Sequence, residues 1–228
     1  MTISNKKIKP DLKVTIDNHD IQEVTSVKYL GVTFDNKLNW QAHIDKTNNK
    51  ISKACYAIVK LRKIVNLKTL KLVYYALAYS VMMYCLTIWG RSTLNHINKI
   101  IVKQKKIVRI MTFSKFNSHT NDLFKNLQLL KFNDIFKLKV AIHAYQTLNN
   151  PRSSNTTTIL PLETAHVHNT RSSSNNNLFV PNVRTRLGAA SLNYQCPIVW
   201  NTVPKEIKES KNLNIFKNRY KKNLLDQY

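Results

Sequence analysis

Three observations predict a mainly α fold with a small N-terminal antiparallel sheet and a mixed α/β C-terminal unit. Apolar residues recur at helical spacing from Trp40 to about residue 148. Short strand-like runs around turn residues fill residues 1–39, and residues 178–228 set apolar runs among turns before a closing helical stretch. An Asn/Ser/Thr-rich stretch, residues 149–177, separates the last part from the rest and reads as a linker.

The 228 residues suffice for a real core in one or two domains. Thirty-six Lys and Arg against twelve Asp and Glu give a net charge of +24. Such a surplus selects polyanionic partners, either nucleic acid or an acidic membrane surface. Its placement is uneven. Residues 40–148 hold nineteen basic and three acidic residues, whereas residues 1–39 hold six and five.

Taken in order, LKVTI (12–16) and DIQEV (20–24) flank the turn tripeptide DNH and predict a hairpin. VKYLGVTF (27–34) reads as a third strand, with Gly31 marking a bulge or a close backbone approach. From Trp40 the period becomes helical. Ile44, Ile51, Cys55, Ile58, Val59 and Leu61 share one side, and Lys46, Lys50, Lys53 and Lys60 cluster opposite.

Residues 72–89 contain no charge and match a membrane span in length. Four tyrosines, Ser80, Thr87 and basic residues on both flanks favour a buried helix instead, broken near Ser80 and stopped at Gly90. Over 93–112, Leu94, Ile97, Ile100, Ile101, Ile107, Val108 and Met111 form one arc. Lys99, Lys103, Lys105, Lys106 and Arg109 occupy most of the remainder, without one acidic residue to balance them. A merely solvated face mixes signs, so this one is a candidate for phosphate contact. Residues 132–148 predict a further helix.

Catalytic chemistry has no visible seat. No two acidic residues are adjacent, so no carboxylate pair for two metal ions stands in the chain. Three glycines leave no phosphate-cradling loop. Cys55, Cys85 and Cys196 are too scattered for a disulfide framework, and MTISNKKIKPDLK lacks the apolar run of a signal peptide. An intracellular setting, cytoplasm or nucleus, is therefore expected. His166, His168 and Cys196 make only a weak metal set, in or beside a polar linker. Trp200 and Tyr194 could stack on bases, but a large aromatic beside Ile198 and Val199 reads better as a core anchor.

Several stretches, in one order, then form a pattern: VKYLGVTFDNKLNWQAHI, AYSVMMYCLTIWG, the QKKIVRIM helix, HNTR (168–171), RTRLGAASLNYQCPIVWNTVPKEIK and FKNRYKKNLL. Together they resemble the C-terminal portion of non-LTR (LINE-type) retrotransposon reverse transcriptases. The resemblance implies an end of palm and primer-grip-like hairpin over 1–39, with Tyr29, Leu30 and Gly31 at the grip. It implies a helical thumb-like bundle over 40–148 and a C-terminal unit over 178–228. The basic residues above, the lysines from Lys46 to Lys106 together with Arg109, would then contact the backbone of RNA, an RNA/DNA hybrid or a DNA duplex. The family's two catalytic aspartate stretches would lie upstream of Met1, on a palm and fingers segment. No cofactor is then expected in this chain, since Mg²⁺ belongs to the full-length polymerase. Asp35 would be a strand-end residue. Ile8 departs from the family's usual pattern. The competing expectations are a stand-alone, non-enzymatic nucleic-acid-binding protein and a membrane protein anchored by residues 72–89.

Overall fold

In the computed structural model, residues 1–3, 14–149 and 175–228 are described. His166, His168, HNTR and most of the expected linker lie outside them.

The chain opens with two hairpins. β1 (Thr15–Ile16) pairs with β2 (His19–Asp20) as expected, turning on Asp17 and Asn18, both at positive φ. Asp and Asn tolerate that conformation best after glycine. Residues 27–34 are not one bulged strand but a second hairpin: β3 (Ser26–Tyr29) pairs with β4 (Val32–Asp35). Its two turn residues are Leu30 (φ 45°) and Gly31 (φ 79°). Leucine seldom accepts positive φ, which is why the turn escapes a reading by residue type. The Tyr84 hydroxyl fixes it by donating to the Leu30 carbonyl at 2.6 Å. The close approach expected at Gly31 is present, since a Cβ there would lie 3.3 Å from the Tyr84 ring.

Asp35 ends β4 and organises the entry to α1 (Gln41–Leu61). One carboxylate oxygen accepts from the Lys37 and Asn39 amides at 3.1 and 2.9 Å, the other from the Trp40 amide at 2.7 Å. The turn needs such anchoring, because Leu38 and Trp40 both sit at positive φ. Asp35 is structural.

α1 buries Ile44, Ile51, Cys55 and Ile58 together with His43 and Thr47, while Val59, expected in its apolar arc, is exposed. The uncharged stretch begins in α2 (Leu67–Tyr74) and passes through a π turn (Tyr75–Tyr79) into α3 (Ser80–Met83). The helical path breaks after Met83 rather than at Ser80. Tyr84 is extended and Cys85 left-handed before α4 (Leu86–Trp89). Tyr74, Ala78, Met82, Leu86 and Trp89 are fully buried along one side, whereas Leu72, Leu77, Tyr84 and Ile88 face outward. Among the described residues no helix is long and apolar enough to cross a membrane, so residues 72–89 form no helical anchor. Gly90 follows α4 for want of space, not for a left-handed cap: a Cβ would meet Leu86 O and the Phe136 ring at 2.5 and 2.6 Å.

α5 (Leu94–Met111) packs along α1, with Leu94 exposed instead of in the buried arc. After α6 (Asn121–Asn126), α7 (Phe132–Asn149) becomes the central helix, apolar on most of its circumference and packed against α4, α5 and the C-terminal helices.

From Arg186 onward the C-terminal unit is helical, and before it a lone β-bridge at Leu178 is all the β structure among its described residues, a correction to the mixed α/β expectation. It comprises α8 (Arg186–Ala190), α9 (Leu192–Asn201), α10 (Lys205–Lys208) and α11 (Leu213–Asp226). Pro197, Ile198 and Val199 suggest strand and turn, yet Cys196, Val199 and Trp200 gain burial by packing α9 on α7. Tertiary burial overrides weak local preference. Trp200 is a core anchor, as expected. It lies 5.9 Å from Phe216, which stacks on Tyr145 at 4.6 Å, and its indole donates to the Asn176 carbonyl. That enclosure removes it as a base-stacking platform.

Candidate nucleic-acid interface

The two helices that carry the lysine-rich faces lie side by side and parallel. Asp45 near the start of α1 pairs with Lys99 at 2.6 Å near the start of α5, and Arg62 just past α1 reaches the Ile110 carbonyl at 3.3 Å. Their apolar arcs meet, so the basic faces turn outward.

The candidate cations do not act as one set. Lys46, Lys50, Lys53 and Lys60 are all exposed. Lys46 is steadied by donating to the Thr33 hydroxyl at 3.0 Å, and Lys60 lies over the Tyr56 ring. Lys46, Lys50 and Lys53 line a groove of about 350 Å³ with Lys28, between α1 and the β3–β4 hairpin. Gly31 borders this groove, and the adjoining tip residues Tyr29 and Leu30 are 64% and 73% exposed. The structure thus brings the hairpin tip and the α1 lysines to one place, which no periodicity in the sequence required.

The α5 cations divide. Lys103 and Lys106 lie near Cys55 on the α1 side, with Lys103 half-buried. Lys105 is exposed on another side, where its charge acts on Lys131. Lys99 is committed to Asp45, an exposed pair of small energetic consequence. Arg109, expected to be exposed, is half-buried and donates from Nε to the Ser118 carbonyl at 2.9 Å. It holds the loop after α5 in place.

Several groove residues carried no sequence signal. His43 lies within an apolar arc and reads as an interruption of it. In the structure the Thr33 amide donates to His43 Nδ1 at 3.3 Å, so the proton of the neutral ring sits on Nε2. Burial, then the nearby charges of Lys50 and Lys46, hold this imidazole below its usual range. Tyr84 comes from a segment fifty-four residues downstream of Leu30, and only the fold reveals their contact.

Metal chemistry finds no support among the described residues, where no group of three or more His, Cys, Asp and Glu is gathered for an ion. All three cysteines are free. Burial pushes the Cys196 thiol up to about 12.

No family model matches the sequence, and no solved structure matches it. Over 125 residues the chain is 26% identical to the RNA-directed DNA polymerase from mobile element jockey of Drosophila melanogaster. The corresponding polymerase of Drosophila funebris matches at the same identity and length. Each match covers 53% of this chain but only 14% of the relative. About half of the chain is therefore related to part of a LINE-type, non-LTR retrotransposon reverse transcriptase.

Proposed function

We propose that this chain is a reverse-transcriptase-derived unit that holds the backbone of a template-primer duplex and performs no polymerisation by itself. The observation that carries the reading is the shared groove of Lys28, Lys46, Lys50 and Lys53 beside the Tyr29–Gly31 hairpin tip. Lysines along a groove without a carboxylate bind phosphates through counterion release. Residues 40–148 serve as the thumb-like part, the tip as the primer-grip-like part, and RNA/DNA, RNA or DNA duplexes as partners. Val14, Ile16, Ile21 and Val27, exposed on the hairpins, offer the surface on which a palm and fingers segment would pack. With no adjacent acidic residues, the chain offers no paired site for two Mg²⁺ ions, and primer extension would depend on such a segment.

The test is the salt dependence of duplex binding. With about six phosphate contacts, log affinity falls against log salt with a slope near −5, roughly a thousandfold loss between about 50 and 200 mM. Changing Lys46, Lys50 and Lys53 together to Gln should flatten the slope by about three units. All three are exposed, so the melting temperature should hold. A triple variant with the parent's slope would remove this groove from the interface.

A further inference from the structure

The groove of Lys46, Lys50 and Lys53 does not end at the hairpin. A second chamber of about 330 Å³ adjoins it, sharing Gly31, His43, Thr47 and Lys50 as common lining. The second chamber is walled by Ser80, Val81 and Tyr84 from α3 and the break that follows. Each volume lies in the range of about 300–1,000 Å³ typical of small-ligand sites.

The two chambers differ in chemistry. The first is rimmed by four lysines. The second presents an aliphatic side chain, a hydroxyl and the Tyr84 ring, which is half exposed although its hydroxyl is engaged with Leu30. Among the described residues no carboxylate lines either one. Thr33, His43 and Thr47 are nearly fully buried, so they form a polar floor beneath the lysine rim. A duplex keeps its bases stacked inside and offers the rim lysines only its phosphate backbone. A single nucleotide withdrawn from the stack offers a phosphate and a base together, which is what the paired chambers match.

We infer that this double cleft takes one unpaired nucleotide of a bound strand, its phosphate among Lys28, Lys46 and Lys50 and its base against Tyr84. The inference rests on the nucleic-acid reading above and adds a structural class to it: a strand with an unpaired terminal or extruded nucleotide, in preference to a blunt duplex. Aromatic stacking is tolerant of base identity, so no sequence preference accompanies it. His43 supports the assignment without carrying it. The nearby charges of Lys50 and Lys46 act on its ring, and a phosphate held among those lysines would offset their repulsion. Lys28 from the hairpin and Lys53 from α1 line the same groove, both cationic.

The whole 228-residue chain is titrated by fluorescence anisotropy with a short blunt duplex, and with the same duplex carrying one unpaired terminal nucleotide. The extended duplex should bind about tenfold tighter, within the range that base stacking on an aromatic ring contributes. A fluorescent base analogue at the unpaired position should be quenched on binding, and Tyr84→Ala should abolish both effects. Because Tyr84 also holds Leu30, a second variant, Ser80→Leu, narrows the chamber from an exposed wall position. It should remove the preference while leaving blunt-duplex affinity and melting temperature intact. Equal affinity for the two duplexes, or a preference that survives Ser80→Leu, overturns the cleft while leaving duplex binding standing. Binding of neither duplex overturns the nucleic-acid reading itself. A nucleoside monophosphate that alone binds as tightly as the extended duplex would show a free-nucleotide site and overturn the assignment to a strand.

Discussion

Asp35 offers the sharpest test of structure against chemistry, because a carboxylate at the end of a strand invites a catalytic reading. Asp35→Ala removes the acceptors of three backbone amides, those of Lys37, Asn39 and Trp40. The turn that loses them contains two non-glycine residues at positive φ, Leu38 and Trp40, each disfavoured in that conformation without support. A hydrogen bond to a charged group contributes about 1.5–3 kcal/mol when buried, but Asp35 is half exposed and water can replace part of it. The net cost should be about 2–3 kcal/mol, spread over the three bonds. For a chain of this size that lowers the melting temperature by roughly 4–12 °C. Asp35→Asn keeps one acceptor oxygen and should fall between parent and Ala. Thermal unfolding followed by circular dichroism reads all three proteins. If Asp35→Ala melts with the parent, the carboxylate does not hold the turn, and the structural assignment fails.

Two further outcomes follow from the C-terminal helices. Trp200→Ala should cost about 3–5 kcal/mol, the range for a buried large aromatic, because Trp200 packs on Phe216 and also bonds Asn176; unchanged urea unfolding would refute its core role. Lys208 is buried with no ion pair among the described residues, donates to Asn175 O and Asn177 Oδ1, and has its pKa lowered by burial to about 8 from 10.5. The unfolded chain therefore binds the extra proton between those values, so stability should rise with pH from about 8 towards 10. Above pH 10 the raised tyrosines, Tyr220 at about 12 among them, act in the opposite sense. Lys208→Met should flatten the rise, and an unaltered pH profile in that variant would refute the assignment.

What the sequence made legible followed from repetition. The buried arcs of α1 and α5, the helix at 132–148 and the first hairpin each rest on several residues agreeing in period or turn type. What escaped it rests on single contacts between distant segments. Leu30 turns because Tyr84 holds it, Arg109 is withdrawn from its basic face by Ser118, and α9 is helical because α7 offers it a surface. The groove is legible in part: the α1 lysines are periodic, but Lys28, His43 and Tyr84 join them only in the fold.

Gln104 shows the same limit inside the core. It lies on the most basic helix of the chain, where a polar residue reads as surface, yet it is fully enclosed. Its Nε2 donates to the Tyr74 hydroxyl and the Leu130 carbonyl, both at 2.9 Å, and its Oε1 accepts from the Phe132 amide at 2.8 Å. These bonds tie α5 to α2 and to the start of α7, and they satisfy three groups that water does not reach. Gln104→Leu preserves size and increases apolarity, so a burial argument alone predicts stabilisation. The bonding argument predicts the reverse. Leaving a buried donor or acceptor unpaired costs about 1–3 kcal/mol each, partly offset by the gain in apolar burial, so a net loss of about 2 kcal/mol is expected. Tyr74→Phe in the same background should recover part of it, because its hydroxyl no longer needs a partner. Chemical unfolding of the two single variants and the double variant gives the coupling directly. Additive losses, or a Gln104→Leu chain more stable than its parent, would show that these bonds do not hold the helices together.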